Sequence, residues 1–299
     1  MAFRCVMIEN PAYISVKNNQ LLIRTEQEHS LPIEDISALL LENRQITITT
    51  TALSRLGQCG CAVFTCDESH MPCAVLEPFM QHSRALQMIQ RQLSMTEPLK
   101  KRLWQSVVQK KIINQAKVLS IAGKAEEAKR IAAMAERVRS GDTDNVEATA
   151  AQTYFPDLFG TEFTRADETG INAGLNYGYA ILRGCIARML AVYGFLPAIG
   201  IHHRSTLNAF NLADDLIEAY RPLIDLLVFS GICEEDTLTP DKKRYLFNCL
   251  NLNILINGKN QNVSYAIEQT VQSLSRSLSE GSLKLALPDL VELQQHRYE

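Results

Sequence analysis

Asp215 and Glu218 stand three residues apart in the run Thr206 to Pro222, whose other members are mostly apolar. On a helix, Asn208, Asn211, Asp215 and Glu218 recur at spacings of three, four and three and share one face. Leu207, Phe210, Leu212, Leu216, Ile217 and Tyr220 cover much of the rest. A polar stripe on such a helix either faces solvent or lines a site. Two carboxylates one turn apart can address the same volume, where they repel unless a proton or a cation lies between them. Pro222, inside the helical pattern, is expected to kink or end the helix.

Two further segments place polar groups where apolar ones are expected. Glu147 opens a helical stretch in which its face continues through Ala150, Ala151 and Tyr154, and a carboxylate buried there needs a partner. Taken alone, the segment favours a capping box, with Asp144 as N-cap and Glu147 as its reciprocal acid. The loop Gly200-Ile201-His202-His203-Arg204-Ser205 carries two adjacent histidines. Most loop histidines are simply solvated, and the alternatives are a metal ligand or a proton carrier. Together, oxygen ligands from Glu147, Asp215 and Glu218 with one imidazole from His203 suit Mg²⁺ or Mn²⁺ better than zinc. Such an ion polarises a phosphoryl oxygen and activates an attacking hydroxyl. The residues alone point to metal-dependent phosphodiester chemistry.

The elements that must position these groups differ between the two parts of the chain. Short β-prone runs recur at 5–8, 13–16, 21–24, 38–41, 46–49 and 62–65, with one helix at 50–57 ending at Gly57. A lone sheet would leave one apolar face wet, so a small β-sandwich is expected. From residue 78 the spacing becomes helical, with long amphipathic helices over 79–139 broken near 96–98 and at Gly123. Helices are expected at 144–155, 170–194 and 206–229, with several more to about 279. The expected fold is α+β: a β-sandwich domain over 1–77, then a larger all-α catalytic domain over 78–299.

Charge and cysteine usage narrow the partners. The 299 residues are 46% hydrophobic and 21% charged, with a net charge of −3. Residues 84 to 139 hold thirteen Lys/Arg against four Asp/Glu, which leaves −12 for the rest of the chain. One basic helical surface can therefore meet phosphates while the protein stays acidic, although a charge-rich helix face can equally be a solvated one. Eight cysteines without a secretory signal read as reduced thiols in a cytoplasmic protein. Cys59, Cys61, Cys66, His70 and Cys73 lack a Cys-x-x-Cys knuckle, and Cys59 and Cys61 alternate like strand residues, so zinc is disfavoured. The best candidate for a membrane span, 180–201, is interrupted by Arg183 and Arg188.

The same segments resemble CRISPR-associated protein one, the integrase of spacer acquisition, and most of all its members from type II systems. The matching stretches are Asn145-Val146-Glu147-Ala148, Tyr154-Phe155, Leu158-Phe159-Gly160, and Asn172 through Leu182. They continue with Gly200-Ile201-His202-His203, then Phe210 through Glu218, Arg221-Pro222 and Asp225. Ala219-Tyr220 departs from a frequent Pro-Phe of the family. The resemblance implies a metal set of Glu147, His203 and Glu218, with Asp215 as a supporting catalytic acid and His202 as the alternative imidazole. It implies transesterification, in which the 3′-hydroxyl of a prespacer DNA attacks a phosphodiester at the edge of a CRISPR repeat. It further implies a homodimer, joined through the β domain, that works on double-stranded DNA with a small second CRISPR-associated subunit. Asn172 and Asn176 are placed to orient ligands or, more simply, to make buried contacts between helices.

Two competing readings differ in class. A His-Asp phosphohydrolase needs a His-Asp dipeptide, and none of the six histidines is followed by Asp. A non-catalytic DNA-binding scaffold would tolerate decay of the acidic and imidazole positions, whereas all four hold competent side chains.

Overall fold

The computed structural model describes residues 4–77, 84–235 and 237–297. The expected join near residue 78 lies outside them. The chain opens with β1 (Arg4–Ile8), β2 (Tyr13–Lys17), β3 (Gln20–Arg24), β4 (Glu28–Pro32), β5 (Ile36–Leu41) and β6 (Thr47–Ile48). Helix α1 (Thr50–Gln58), β7 (Ala62–Cys66) and β8 (Pro72–Val75) follow. They form two four-stranded sheets, ordered β1-β5-β7-β8 and β4-β3-β2-β6. β5 runs parallel to both β1 and β7. Parallel neighbours require crossovers, and here one crossover carries the β2–β4 meander and the other carries β6 and α1.

The unbroken apolar run 38–41 of β5 is explained by what covers it. Leu39 and Leu41, with Cys61 just before β7 and Val63 within it, join a cluster containing Ile14, Leu21 and Leu56 from the other sheet and α1. Ala38 and Leu40, with Ala62 and Phe64, point the other way, into the main core of the helical part. A strand buried on both faces reads as continuous rather than alternating hydrophobicity. The N-terminal part is thus packed against the helices through a sheet. A buried ion pair between Glu42 and Lys243, with Nζ 2.9 Å from the carboxylate, crosses the same seam.

The helical part comprises α2 (Ala85–Leu93), α3 (Glu97–Ile121), α4 (Ala125–Ala135), α5 (Val146–Phe159) and α6 (Gly170–Val192). It continues with α7 (Asn211–Ile217), α8 (Arg221–Gly231), α9 (Pro240–Phe247), the hairpin β9 (Asn253–Ile256) and β10 (Lys259–Asn262), and α10 (Val263–Glu280). Two expectations need correction. The part is not all-α: Asn257 and Gly258 both take positive φ and turn the β9–β10 hairpin, as the Asn-Gly dipeptide favours. The helix expected over 206–229 is two helices, divided between Glu218 and Arg221 just before Pro222.

Small residues on α6 let its neighbours close in. A Cβ on Gly178 would lie 2.5 Å from Ile224 Cγ2 of α8, and one on Gly184 would lie 2.3 Å from Phe64 Cε1 of β7. Since Phe64 is buried and its ring cannot retreat, Gly184→Ala is expected to destabilise the chain by about 1–3 kcal/mol through overpacking. A lowered urea midpoint at unchanged slope is the readout. An unshifted midpoint would mean the β7–α6 seam is looser than drawn.

Candidate active site

The acids and imidazole that the sequence singles out come from four places that meet beside α3. Glu147 is in the first turn of α5. The turn entering that helix has Gly141, Asp142 and Asn145 at positive φ, and Asp142 rather than Asp144 caps it. The Asp142 carboxylate accepts from the Val146 and Glu147 amides at 2.9 and 3.0 Å. Asp144 instead lies 3.6 Å from Arg139. The capping-box expectation therefore fails, and the Glu147 side chain is left available for another partner.

That partner is Lys111 of α3, whose Nζ donates to Glu147 Oε1 and Glu218 Oε2, 2.5 Å from each. Glu218 also faces Arg221, with Nε 3.0 Å from Oε1. Lys111 and Glu218 are 7% and 4% exposed, so their charges interact through protein rather than bulk water. Burial works to raise the Glu218 carboxyl, but Lys111 and Arg221 outweigh it and hold the group below the usual carboxylate range. Burial likewise works to lower the Lys111 ammonium, and the charges of Glu218 and Glu147 reverse this and raise it.

Asp215 does something different from what one-turn spacing suggests. Its fully buried carboxylate turns away from Glu218 into the loop 200–203, where it accepts from the Ile201, His202 and His203 amides at 2.5, 3.1 and 3.0 Å. The His203 ring is 2.8 Å away through Nδ1. With Nδ1 engaged, Nε2 is the His203 nitrogen left for a ligand. The Asp215 hydrogen bond raises the His203 pKa, and partial burial opposes it. A Cβ on Gly200 would lie 2.3 Å from His203 O and 2.8 Å from Asp215 Oδ2, so the loop closes on the carboxylate only with glycine there. Asp215 is a positioning residue: it fixes the loop and one histidine tautomer. His202 is committed elsewhere, its ring stacked on buried Trp104 at 4.2 Å with an interplanar angle of 1°. The polar stripe also divides. Asn211 ties the loop to Ala198 O and Ser205 O, and Asn208 binds Asp214 with Arg183.

Behind the site, Tyr154 and Tyr179 both donate their hydroxyls to buried Asp225. Burial pushes the Asp225 carboxyl up to about 6. An acid with pKa raised on folding adds stability that is fully present below its unfolded pKa, roughly 3.9, and is lost as pH rises through the folded value. This group therefore makes the chain less stable between about pH 4 and pH 6–7, on the order of 3 kcal/mol. Melting temperatures across that range are expected to fall for the wild type relative to Asp225→Asn; parallel curves would contradict the assignment. Asn172 and Asn176 hold Arg165, and Asn172 also donates to Thr164 O and Asp167 O, so their contacts serve the α6 entry rather than the acids.

Lys111 was not among the residues that the sequence singled out, though a signal existed. Trp104, Val107, Val108, Lys111, Gln115 and Val118 form the buried face of α3, and a lysine in that register is as anomalous as the glutamate opposite it. Much of the basic surplus of 84–139 proves to be engaged internally. Lys110 and Lys117 both reach Asp289 of the C-terminal segment, Arg130 reaches Asp157, and Lys124 donates to the Asp157 and Leu158 carbonyls. Lys101, Arg102 and Arg137 have no ion pair among the described residues. Of the zinc candidates, His70 lies 2.8 Å from Glu42, Cys61 is buried in the N-terminal cluster and Cys73 donates to Thr65 O. Among the described residues, no three His, Cys, Asp or Glu side chains stand close enough to hold a metal as placed, and no helix is long and apolar enough to cross a membrane. The acidic site nevertheless suits a hard cation in one specific respect: a cation, the Lys111 ammonium, already stands where two carboxylates converge.

A family profile described as CRISPR associated protein Cas1 matches residues 5–245. The chain is 44% identical over 305 residues to the CRISPR-associated endonuclease Cas1 of Neisseria meningitidis serogroup C (strain 8013), covering all of both chains. Among solved structures, a casposase bound to integration product has a similar fold, with a TM-score of 0.75 at 20% identity over 94% of this chain and 91% of that one. A Cas6-RT-Cas1–Cas2 complex matches with a TM-score of 0.66 at 20% identity, over 93% of this chain and 35% of that one. The chain belongs to the Cas1 family of CRISPR-associated proteins.

Proposed function

We propose that this Cas1 chain is a DNA endonuclease and integrase of CRISPR adaptation and that Glu147, His203 and Glu218 form its active centre, with Asp215 positioning His203. Full-length identity to a Cas1 endonuclease supports the activity. The observation that carries the site is the convergence of Glu147 and Glu218 on one buried ammonium, beside a histidine fixed by Asp215.

Glu147, Glu218 and His203 Nε2 are the donors that would hold Mg²⁺ or Mn²⁺. When bound, such an ion supplies Lewis-acid stabilisation of charge on phosphoryl oxygens. The chain's own residues do the rest. Lys111 and Arg221 keep Glu218 ionised so that it can act as a ligand, and Asp215 keeps Nδ1 of His203 engaged so that Nε2 is the nitrogen left for a ligand. The reaction is transesterification: the 3′-oxygen of a prespacer bonds to a repeat phosphorus as the repeat's own P–O3′ bond breaks. The attacking 3′-hydroxyl gives up its proton and the leaving 3′-oxygen takes one up, so the exchange is proton-neutral overall.

The sheets of 1–77 are the proposed sandwich and dimerisation piece, and 78–299 the catalytic and DNA-binding part. A small second subunit is the further partner. The Cas6-RT-Cas1–Cas2 complex found with this fold is consistent with such an assembly.

The test is joining of a labelled short duplex to a supercoiled plasmid carrying a CRISPR repeat, with the small subunit present. Joining in Mn²⁺ that vanishes with chelator and in Glu147→Ala is the expected result. Joining that survives both would overturn the site and its metal.

A further inference from the structure

The first turn of α10 opens on a cavity of about 140 Å³ at the seam between the N-terminal sheet and the helices. Its walls include Ser37 of β5, Gly60 before β7, Arg188 of α6, and Ser264 and Tyr265 of α10. None of them belongs to the acidic site. Arg188 is 5% exposed, yet its guanidinium makes no hydrogen bond or ion pair with any described residue. A guanidinium carries five N–H donors; none of the Arg188 nitrogens is sealed off among the unsatisfied buried atoms, so they open on the cavity, where a charge largely withdrawn from water and without a counter-ion is unfavourable. Burial pushes the Arg188 pKa down, and the nearby thiols of Cys185 and Cys61 and the carboxylate of Glu268 offset this only in part. Glu268, on the cavity wall, is held by the Tyr193 hydroxyl at 3.3 Å.

The second positive feature is the helix end itself. α10 has 18 residues, and its first amides lack intrahelical acceptors and carry the positive end of the helix dipole. Leu252 O accepts from the Val263 amide and Asn262 Oδ1 from the Tyr265 amide. The Ser264 amide between them has no such acceptor among the described residues, and it belongs to a residue of the cavity wall. Gly60 keeps the opposite wall bare: it has φ of +81°, and a Cβ there would lie 3.5 Å from Arg188 Nη2. A buried water needs roughly 10–15 Å³ of such space, so this cavity has room for a tetrahedral oxyanion.

We infer that the cavity is a phosphate site, in which one phosphate group, free or at the end of a nucleotide, is held between the Arg188 guanidinium and the first turn of α10. The anion supplies the acceptors that Arg188 lacks, and the helix N-terminus binds it as helix ends bind anions elsewhere.

The decisive experiment pairs thermal unfolding with crystallography on the full chain. At constant ionic strength, inorganic phosphate in place of chloride should raise the melting temperature saturably in the wild type and in Glu218→Gln, but not in Arg188→Met. Crystals of the wild type soaked in selenate should show an anomalous peak within hydrogen-bond distance of Arg188. This arm decides the matter even if Arg188→Met fails to fold. A cavity without the peak, or an Arg188→Met protein that keeps the wild-type response, overturns the inference. A 5′-phosphorylated dinucleotide that competes with phosphate where its unphosphorylated twin does not assigns the site to nucleotide ends. Failure of both to compete while phosphate binds assigns it to the free ion. Because none of these readouts uses integration, they stand whether or not the acidic site is catalytic.

Discussion

Glu218→Gln is expected to reduce strand transfer by at least about 10²-fold while the protein stays folded. The substitution keeps the shape of the side chain and removes its charge. Glu218 is the most deeply buried of the proposed ligands, and two cations, Lys111 and Arg221, are arranged to keep it ionised. Loss of a single preorganised electrostatic contact to a developing oxyanion already costs a factor of about 10²–10³, and here the ion that would make that contact loses a ligand. Mn²⁺ should raise the melting temperature of the wild type by mass action and that of Glu218→Gln much less. Wild-type strand transfer in the variant would place the chemistry elsewhere. Loss of strand transfer with a full Mn²⁺ response would make Glu218 a residue for DNA rather than for the ion.

Lys111→Met should have the opposite signature. In the metal-free protein the change leaves Glu147 and Glu218 facing each other with Arg221 as the remaining cation. Removing one member of a buried ion pair costs about 3–5 kcal/mol, which for a domain of this size lowers the melting temperature by roughly 6–10 °C. Added Mn²⁺ should recover most of that loss, because a divalent ion can take the place between the two carboxylates. The Mn²⁺-induced rise is therefore expected to be larger in Lys111→Met than in the wild type. A variant as stable as the wild type, with the same response to Mn²⁺, would show that Lys111 does not neutralise these acids. Comparison with Lys111→Arg separates charge from packing, since only the former is retained.

The two-part layout was readable because strand and helix periods differ and each leaves its own pattern of apolar residues. Six of the eight N-terminal strands were expected close to where they lie. β4 and β8 were not, because Glu28–Pro32 is largely polar and Pro72–Val75 is short and half exposed. The break between α7 and α8 was signalled by Pro222, but its consequence was not. A continuous helix would keep Asp215 and Glu218 on one face, and the actual chain bends after Ile217. The zone of basic residues was legible as composition, whereas the internal acids that engage many of them are 27 to 179 residues away.

What the sequence determined by itself is therefore a short set of candidate groups, Glu147, His203, Asp215 and Glu218, because anomalous polar residues on apolar faces are local facts. What only the tertiary structure decided is their division of labour. Whether a carboxylate meets an ammonium, a loop of amides or a second carboxylate depends on which distant elements pack beside it. In this fold the α3 register delivers Lys111 to Glu147 and Glu218, and the tight turn at Gly200 delivers three amides and an imidazole to Asp215. Short-range spacing fixes which residues share a helix face, but long-range packing fixes the electrostatic partner, and in a buried site the partner sets the role.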